Sequence, residues 1–433
     1  RPPRSTLDRS SAASDVYKRQ GFKDITLSVN SSLDLPSNIA LVHEWFTPRS
    51  TGGAENVVQV IDDLLSEIAS QPELFSLVNE ERLEKNSWLF DRKVKTSFIQ
   101  NLPFGISHVQ QYLPLLPFAI EQLDFEGYPL ILSSNHLVAK GILTSPDQLH
   151  ISYVHTPVRY AWDQMNIYLK RSFLRRIGLG PLIRWQLHTL RQWDQLSSSR
   201  VDYLLANSNF TAKRIWKYWR RRSEVLHPPV DVNRFEWNRP REDFYLSVCR
   251  LVPNKRVDLL VRAFNRLKLP LIVVGDGVEK EYLKKLAGPT VQIIGFQSKE
   301  KIESLMSRCR AFVYAGIEDF GIAPVEAMAS GAPVIAFGKG GVLDTVKCFH
   351  SDSDKGATGL LFPSQTVKSL VEAIEFFKQK QLWRDLKPEL IRDWSNSFSQ
   401  DSFKDKFAKT INRAWREHVN SCDIATSDLT SSS

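Results

Sequence analysis

Short apolar runs alternate with stretches of helical spacing along the first half of the chain. Such runs, bounded by polar or turn residues, predict buried strands, and apolar residues three or four apart predict helices. The first strand is predicted at residues 39–43 and the first helix at 54–68. The further predicted strands are 74–78, 94–99, 130–133, 150–154 and 201–206, and the further helices are 173–196 and 210–219.

A proline-rich break ends this first series. His227-Pro228-Pro229-Val230-Asp231 interrupts the pattern, residues 238–241 continue the break, and a second alternating series follows. Its predicted strands are 245–249, 271–274, 291–294, a run around Phe312, and 334–336, and its predicted helices are 257–267, 278–286, 299–307, one after Pro324, and 367–377.

Alternation of strands and helices predicts parallel sheets covered by helices on both faces. We therefore predict an α/β fold with two doubly wound, Rossmann-like domains, one at 38–228 and one at 241–395. A last helix, at 398–418, lies outside the second series. Ligands of such sheets bind beyond the carboxyl ends of the strands.

The ends of the chain and its bulk properties add further expectations. A length of 433 residues is enough for two full cores. Residues 1–20 lack periodicity and look like adapter or vector-derived sequence, and the Ser- and Asp-rich residues 421–433 predict a disordered tail. No apolar stretch reaches the roughly 18 residues that a spanning helix needs. The four scattered cysteines suggest neither a disulfide framework nor a metal site, so a cytoplasmic protein is expected.

The net charge of +9 is concentrated in residues 170–222, where basic and aromatic side chains are interleaved. Basic residues beside aromatics on a helix suggest a surface that binds anionic lipid. The alternative is a solvated helix face with the tryptophans in the core. Nucleic acid is not expected as a partner, because no recognised binding motif accompanies the charge.

The most informative segment is residues 318–326, Glu-Asp-Phe-Gly-Ile-Ala-Pro-Val-Glu. It follows an apolar run and leads into a helical pattern, so it predicts a strand, a glycine-containing turn and a helix N-terminus. Free N–H groups and the helix dipole make such a terminus an anion site. Glu318 and Glu326 can each accept sugar hydroxyls, so the segment suggests a nucleotide-sugar site. A surface loop whose acids only cap the helix is the alternative.

These residues resemble the retaining glycosyltransferases of family 4. The resemblance extends over most of the chain and includes Gly52-Gly53-Ala54-Glu55, Tyr153-Val154-His155-Thr156-Pro157, Ala206-Asn207-Ser208, Gly275-Asp276-Gly277 and Gly338-Lys339-Gly340-Gly341. Residues 155–163 look most like the branch that contains O-antigen-type mannosyltransferases. The resemblance implies the B-type glycosyltransferase fold, in which the two domains face each other across a cleft. It also implies that the last helix packs back on the N-terminal, acceptor-side domain.

Arg250 and Lys255 directly follow the first predicted strand of the second series. Two cations beside a leaving diphosphate stabilise the charge that it gains in the transition state. The resembled family places an arginine and a lysine at this spacing for that purpose, and the spacing selects Lys255 over Arg256. A pair of exposed ion-pair partners at a strand end is the alternative.

The resemblance gives further residues a place at the site. His155 would contact the donor sugar, although a lone histidine is more often structural, and Asp163 is a candidate for the acceptor side. The donor-binding residues that it implies are Gly52, Gly53, Gly275, Phe296, Phe320, Gly321, Ile322, Ala323 and Glu326.

No carboxylate in the motifs of the first series is an obvious nucleophile, and the resemblance favours front-side attack. Metal and cofactor are expected to be absent, since Asp352 and Asp354 fit solvated turn acids better than metal ligands. The resembled family usually has a glutamate two residues after the glycine pair, and the chain departs from this pattern because Asp344 stands after Val342-Leu343.

The resemblance therefore implies a retaining hexosyltransferase with a lipid-linked or polysaccharide acceptor, and its mannosyltransferase branch implies mannose from GDP-mannose as the donor. A nucleotide-sugar epimerase on the same fold and a non-catalytic sugar-binding relic are the alternatives.

Overall fold

The computed structural model describes residues 34–47, 52–81, 84–85, 87–166, 178, 180–351 and 356–430, with side chains to 421. The adapter-like residues 1–20 and the acids Asp352 and Asp354 lie outside these described residues.

The first half of the chain forms a seven-stranded parallel sheet with strand order β3-β2-β1-β4-β5-β6-β7. Its strands are β1 (Ile39–Phe46), β2 (Glu73–Asn79), β3 (Val94–Thr96), β4 (Leu130–Asn135), β5 (Leu149–Val154), β6 (Tyr203–Ala206) and β7 (Glu224–Val225). Its α-helices are α1 (Gly53–Ile68), α2 (Leu116–Glu121), α3 (Gly180–Ser198) and α4 (Asn209–Trp219). The central strands β1, β4 and β5 are buried along their whole length, as expected for a sheet covered on both faces.

The second half forms a six-stranded parallel sheet with strand order β10-β9-β8-β11-β12-β13. Its strands are β8 (Tyr245–Val248), β9 (Leu271–Val274), β10 (Val291–Ile293), β11 (Ala311–Tyr314), β12 (Val334–Phe337) and β13 (Gly359–Phe362). Its α-helices are α5 (Val257–Leu267), α6 (Lys280–Leu286), α7 (Lys299–Arg308), α8 (Ile322–Ala329), α9 (Val342–Thr345), α10 (Val367–Gln379), α11 (Leu382–Asp385) and α12 (Pro388–Ser395).

Both sheets reverse their direction of winding at one point, and the prediction of two doubly wound parallel sheets is confirmed. The reversal lies between β1 and β4 in the first sheet and between β8 and β11 in the second. Loops on either side of such a point separate and leave a crevice at the carboxyl ends of the strands. The segments after β1, β8 and β11 carry the Gly52–Gly53 pair, Arg250 with Lys255, and Glu318.

The last helix, α13 (Gln400–Thr430), packs on the first sheet. Its Phe403, Phe407 and Ile411 are buried in the same hydrophobic cluster as strand β1 and helix α1. The helix is longer than the predicted 398–418 and runs through most of the segment 421–433 that was expected to be a disordered tail. Ser, Thr and Asp have modest helix propensity, but none of them stops a helix as proline does.

The chain passes between the halves at two places, and these places lie side by side. Val230 and Ser399 form a parallel β-bridge, and the N–H of Val230 donates to the carbonyl of Phe398 at 2.8 Å. Phe398 also packs against His227 and Phe320, with ring centroids 5.3 Å and 5.7 Å away.

Two predicted boundaries are wrong for local reasons. The strand predicted at 94–99 ends at Thr96, because the Ser97 side chain accepts a hydrogen bond from the N–H of Ile99 and starts a 3-10 turn. The helix predicted after Pro324 begins earlier, at Ile322, after Gly321 in a left-handed conformation, and Pro324 lies in its first turn as expected.

The basic, aromatic stretch at 170–222 is partly internal, and its residues 170–177 lie outside the described part. Trp219 is buried and Arg214 is 5% exposed, which fits the core alternative for those two residues. Leu182, Trp185 and Trp216 are exposed, as are Arg184 and Lys217. None of the helices that the structure describes has both the length and the apolar character to cross a membrane.

Candidate active site

A cavity of about 340 Å³ lies between the carboxyl ends of the two sheets. The first half of the chain contributes one wall and the second half the other. The first wall contains Gly53, Ala54, His155, Thr156, Arg159 and Asn207, and the second contains Cys249, Arg250, Lys255, Tyr314, Glu318, Asp319, Phe320, Gly321, Ile322, Ala323 and Pro324.

Two helix N-termini face each other across this cavity. Helix α1 begins at Gly53 and helix α8 at Ile322, and neither has a side-chain cap on its first N–H groups. A Cβ atom at position 53 would overlap the Cδ1 atom of Ile322, so glycine allows this close approach. Uncapped N–H groups and two helix dipoles make the gap a site for anionic groups such as phosphates.

The cations predicted for the diphosphate stand beside these helix ends. Arg250 is exposed on the cavity wall, and it has no ion pair with any residue that the structure describes. The Lys255 ammonium donates to the Glu318 carboxylate. An ammonium has three hydrogens, so Lys255 can hold Glu318 and still donate to a phosphate.

Glu318 is held in place from two sides. Besides Lys255, the hydroxyl of Tyr314 donates to the same carboxylate oxygen. Burial, and after it the Glu318 charge, raise the pKa of Tyr314, so its hydroxyl stays protonated and remains a donor. This arrangement leaves the second carboxylate oxygen of Glu318 able to accept hydroxyls of a ligand.

His155 lies on the opposite wall, directly after strand β5. The backbone N–H of His155 donates to the backbone carbonyl of Asn135 at 2.8 Å, and the backbone carbonyl of His155 accepts from the side-chain amide of Asn207 at 2.9 Å. Burial is the main cause that lowers the pKa of the ring to about 3, and the charges of His136 and His43 add to it. The imidazole is therefore neutral at physiological pH, with one nitrogen that donates and one that accepts.

Glu326 lines a second cavity, of about 810 Å³, which adjoins the first at Gly53, Val248 and Ile322. The Glu326 carboxylate accepts from Arg234 at 2.6 Å. Burial raises the pKa of Glu326 against the opposing effect of Arg234. The two acids of the 318–326 segment thus face different cavities.

Three predicted residues are not among those that line either cavity. Gly275 has φ +144° and packs so closely on Cys249, the residue after strand β8, that a Cβ would overlap the Cys249 carbonyl, so close packing explains the need for glycine here. Phe296 is 80% exposed, and neither residue is among those that line the two cavities. Asp163 pairs with Arg214 at 3.0 Å. Gly52 lines the second cavity.

Sequence reasoning missed the acid next to Glu318. Asp319 accepts from Arg159 and, at 2.8 Å, from Arg214, and both arginines belong to the first half of the chain. Asp319 therefore joins the two walls of the cleft by ion pairs. The sequence shows that Asp319 follows Glu318 and that residues 155–163 contain Arg159. Neither fact indicates that Asp319 and Arg159 form an ion pair.

Asp344, the departure from the family pattern, makes a second link between the walls. Its carboxylate accepts from the N–H of Asn209 at 2.7 Å and lies 3.3 Å from the His227 ring. Asn209 is the first residue of α4, so the acid also lies at a helix N-terminus, where negative charge is favoured.

One group of described residues has ligand atoms close enough to hold a metal ion. Atoms of His43, Glu44 and His136 lie within 4.8 Å of one another. The Oε1 atom of Glu44 accepts from four consecutive backbone N–H groups at 136–139, and Oε2 lies 2.9 Å from His136. Burial alone would raise the pKa of Glu44, but His136, His43 and the backbone donors lower it, so backbone and ion pairing account for this cluster.

Comparison with known proteins bears on this site. Residues 230–400 match the family described as "Glycosyl transferases group 1". The chain is 25% identical over 308 residues to the alpha-1,3/1,6-mannosyltransferase ALG2 of Candida glabrata, an alignment that covers 57% of this chain and 66% of the relative. It is 28% identical to human ALG2 over 246 residues, covering 48% of this chain and 55% of the relative. The chain thus spans between about half and two thirds of these two relatives.

Solved structures share the fold at low identity. Sucrose-phosphate synthase from Thermosynechococcus elongatus superposes with a TM-score of 0.63 and 16% identity, covering 88% of this chain and 100% of that chain. Anabaena Alr3699/HepE, solved in complex with UDP, gives a TM-score of 0.60 and 16% identity over 87% of this chain and 100% of that chain. The sheet topology and these superpositions show the GT-B fold, and the family match and the ALG2 relatives show that the chain is similar in sequence to glycosyltransferases, among them mannosyltransferases.

Proposed function

We propose that the protein is a retaining hexosyltransferase that transfers mannose from GDP-mannose to a lipid-linked or glycan acceptor. One observation carries this proposal: Glu318, Arg250, Lys255 and two helix N-termini meet at a single cavity. A carboxylate suits sugar hydroxyls, and the positive groups suit a diphosphate. A nucleotide-sugar combines both chemistries.

The donor would lie across both cavities. Its diphosphate would take the gap between α1 and α8, with Arg250 and Lys255 alongside. Its sugar would lie between Glu318 and His155, which face each other from the two walls. Its ribose would reach Glu326 in the adjoining cavity.

Transfer would proceed by front-side attack. The acceptor hydroxyl oxygen forms a bond to the anomeric carbon on the face from which the diphosphate departs. The bond between that carbon and the phosphate oxygen breaks with its electron pair moving to the phosphate, which takes the proton of the acceptor hydroxyl. Arg250 and Lys255 stabilise the charge that develops on the leaving group.

We further propose that transfer needs no metal ion or other cofactor, since two cations and two helix ends already supply positive charge at the diphosphate. Turnover should then be the same with and without a chelator. A cytoplasmic protein held at the inner membrane surface would suit a lipid-linked acceptor, and no nucleic acid is expected to take part.

The similarity to the ALG2 mannosyltransferases supports mannose as the sugar, whereas the HepE structure was solved in complex with UDP. A panel of GDP-, UDP- and ADP-sugars decides between them, read first by thermal stabilisation. A ligand at 100 times its dissociation constant adds about 2.7 kcal/mol to the free energy of unfolding.

The same panel is then incubated with a glycan acceptor, and both product and remaining donor are analysed. Stabilisation and transfer with GDP-mannose alone are expected. Stabilisation by no nucleotide-sugar would overturn the proposal, and an epimerised donor without product would favour the epimerase.

A further inference from the structure

Behind His155 lies a set of buried polar side chains that the proposed transfer does not use. The hydroxyl Oγ of Ser134, on strand β4, lies 2.8 Å from Nε2 of His155. The same oxygen lies 3.2 Å from Nδ1 of His43, on the neighbouring strand β1. Ser134 and His43 are both fully buried, so these polar atoms depend on each other for hydrogen bonds.

The direction of these hydrogen bonds follows from one backbone atom. Nδ1 of His43 also lies 3.2 Å from the carbonyl oxygen of Ser134, and a carbonyl oxygen can only accept. Nδ1 of His43 must therefore carry a hydrogen. Carboxylates lie near both ring nitrogens, Glu44 3.7 Å from Nδ1 and Glu55 3.9 Å from Nε2, so the Ser134 carbonyl is what requires a hydrogen on Nδ1.

The position of that hydrogen determines the rest of the chain. Since His43 donates to Oγ of Ser134, the hydroxyl hydrogen of Ser134 is available for His155, and Nε2 of His155 accepts it. The neutral ring of His155 then carries its own hydrogen on Nδ1. The other arrangement would place a lone pair of His43 against the Ser134 carbonyl.

We propose that Ser134 and His43 are positioning residues that hold His155 as the Nδ1–H tautomer, so that its ring is a hydrogen-bond donor to a ligand in the cavity. A donor at this position suits a hydroxyl oxygen of the transferred sugar. The catalytic part of this inference rests on the proposed function, whereas the tautomer itself does not.

The chain provides a matched control one residue away. Oγ of Ser133 lies 2.8 Å from Nε2 of His150, and both residues are buried in the same pair of strands. Burial lowers the pKa of His150 to about 3, as it does for His155. Successive residues of a strand face opposite sides of the sheet, so this second pair faces away from the cavity.

The experiment measures the tautomer by long-range proton–nitrogen NMR on protein labelled with ¹⁵N-histidine. The chain has nine histidines, and a His155→Gln sample assigns the resonances of His155. Wild-type protein should show hydrogen on Nδ1 of His155. Ser134→Ala should give a mixture of tautomers, and Ser133→Ala should leave the resonances of His155 unchanged.

Kinetics provide the second measurement. Ser134→Ala should lower kcat about tenfold, the equivalent of about 1.4 kcal/mol, and should change the KM of the donor less. The control variant Ser133→Ala should leave kcat unchanged. Hydrogen on Nε2 of His155 in the wild type would overturn the proposal, and this spectrum needs no variant to fold. Equal kcat values for the two variants would also overturn it. Failure of all transfer with an Nδ1–H signal intact would count against the proposed function alone.

Discussion

The ion pairs of Asp319 provide a quantitative test of how the two walls of the cleft are held together. Asp319→Asn keeps the shape of the side chain and removes its charge, which leaves Arg159 and Arg214 without their shared partner. Arg214 is nearly buried, and removing one member of a buried pair costs about 3–5 kcal/mol. Because asparagine can still accept one hydrogen bond, we expect a loss near 3 kcal/mol.

Asp163→Asn is the control, since Asp163 pairs with the same Arg214. Its side chain is 38% exposed, against 9% for Asp319, and exposed pairs contribute about 0–1 kcal/mol. Urea unfolding followed by tryptophan fluorescence measures both variants. With an m value of about 3 kcal/mol/M, the midpoint should fall by about 1 M for Asp319→Asn and by about 0.2 M for Asp163→Asn. Equal midpoints for the two variants would refute the reasoning.

Three further predictions concern donor and membrane. Lys255→Ala should lower turnover about 10²–10³-fold, as the loss of one transition-state donor does. Arg256→Ala should have little effect, because the Arg256 guanidinium pairs with Asp258 at 3.0 Å. A larger loss for Arg256→Ala than for Lys255→Ala in steady-state assays would contradict the assignment. In calorimetry, Glu318→Gln should weaken binding of the intact nucleotide-sugar and spare the free nucleoside diphosphate, whereas Glu326→Gln should weaken both; equal losses would remove this division of roles. If residues 170–222 bind anionic lipid, the protein should sediment with anionic vesicles at low salt and be released from them at high salt. Equal sedimentation with neutral vesicles would argue against this.

The fold was predictable because its signals are local. Helix α5 has the predicted bounds, since the apolar residues Val257, Leu260, Val261 and Phe264 recur at helical spacing and are all buried. The short strand β7 escaped prediction because two residues carry no periodic signal. The short strand β13 was missed as well.

The candidate site was predictable where a motif carries its chemistry in consecutive residues. Glu318, Lys255 and Gly53 were found in this way, and all three line the cavity. The partners of Asp319 and Ser134 were not found, because they are set by contacts between distant parts of the chain. Arg159 is 160 positions away from Asp319, and no pattern in one sequence relates two such residues.

The bridge between Val230 and Ser399 has a consequence for how the cleft can open. Two adjacent crossings that are bonded to each other have the geometry of a hinge, and rotation about such an axis would move nearby atoms least. Phe320 packs on Phe398 at this axis, and Pro228 lines the cavity beside it. Opening would therefore swing the far rim of the cleft widely and leave this part of the cavity wall almost stationary. A ligand could enter and leave while the groups nearest the axis keep their alignment.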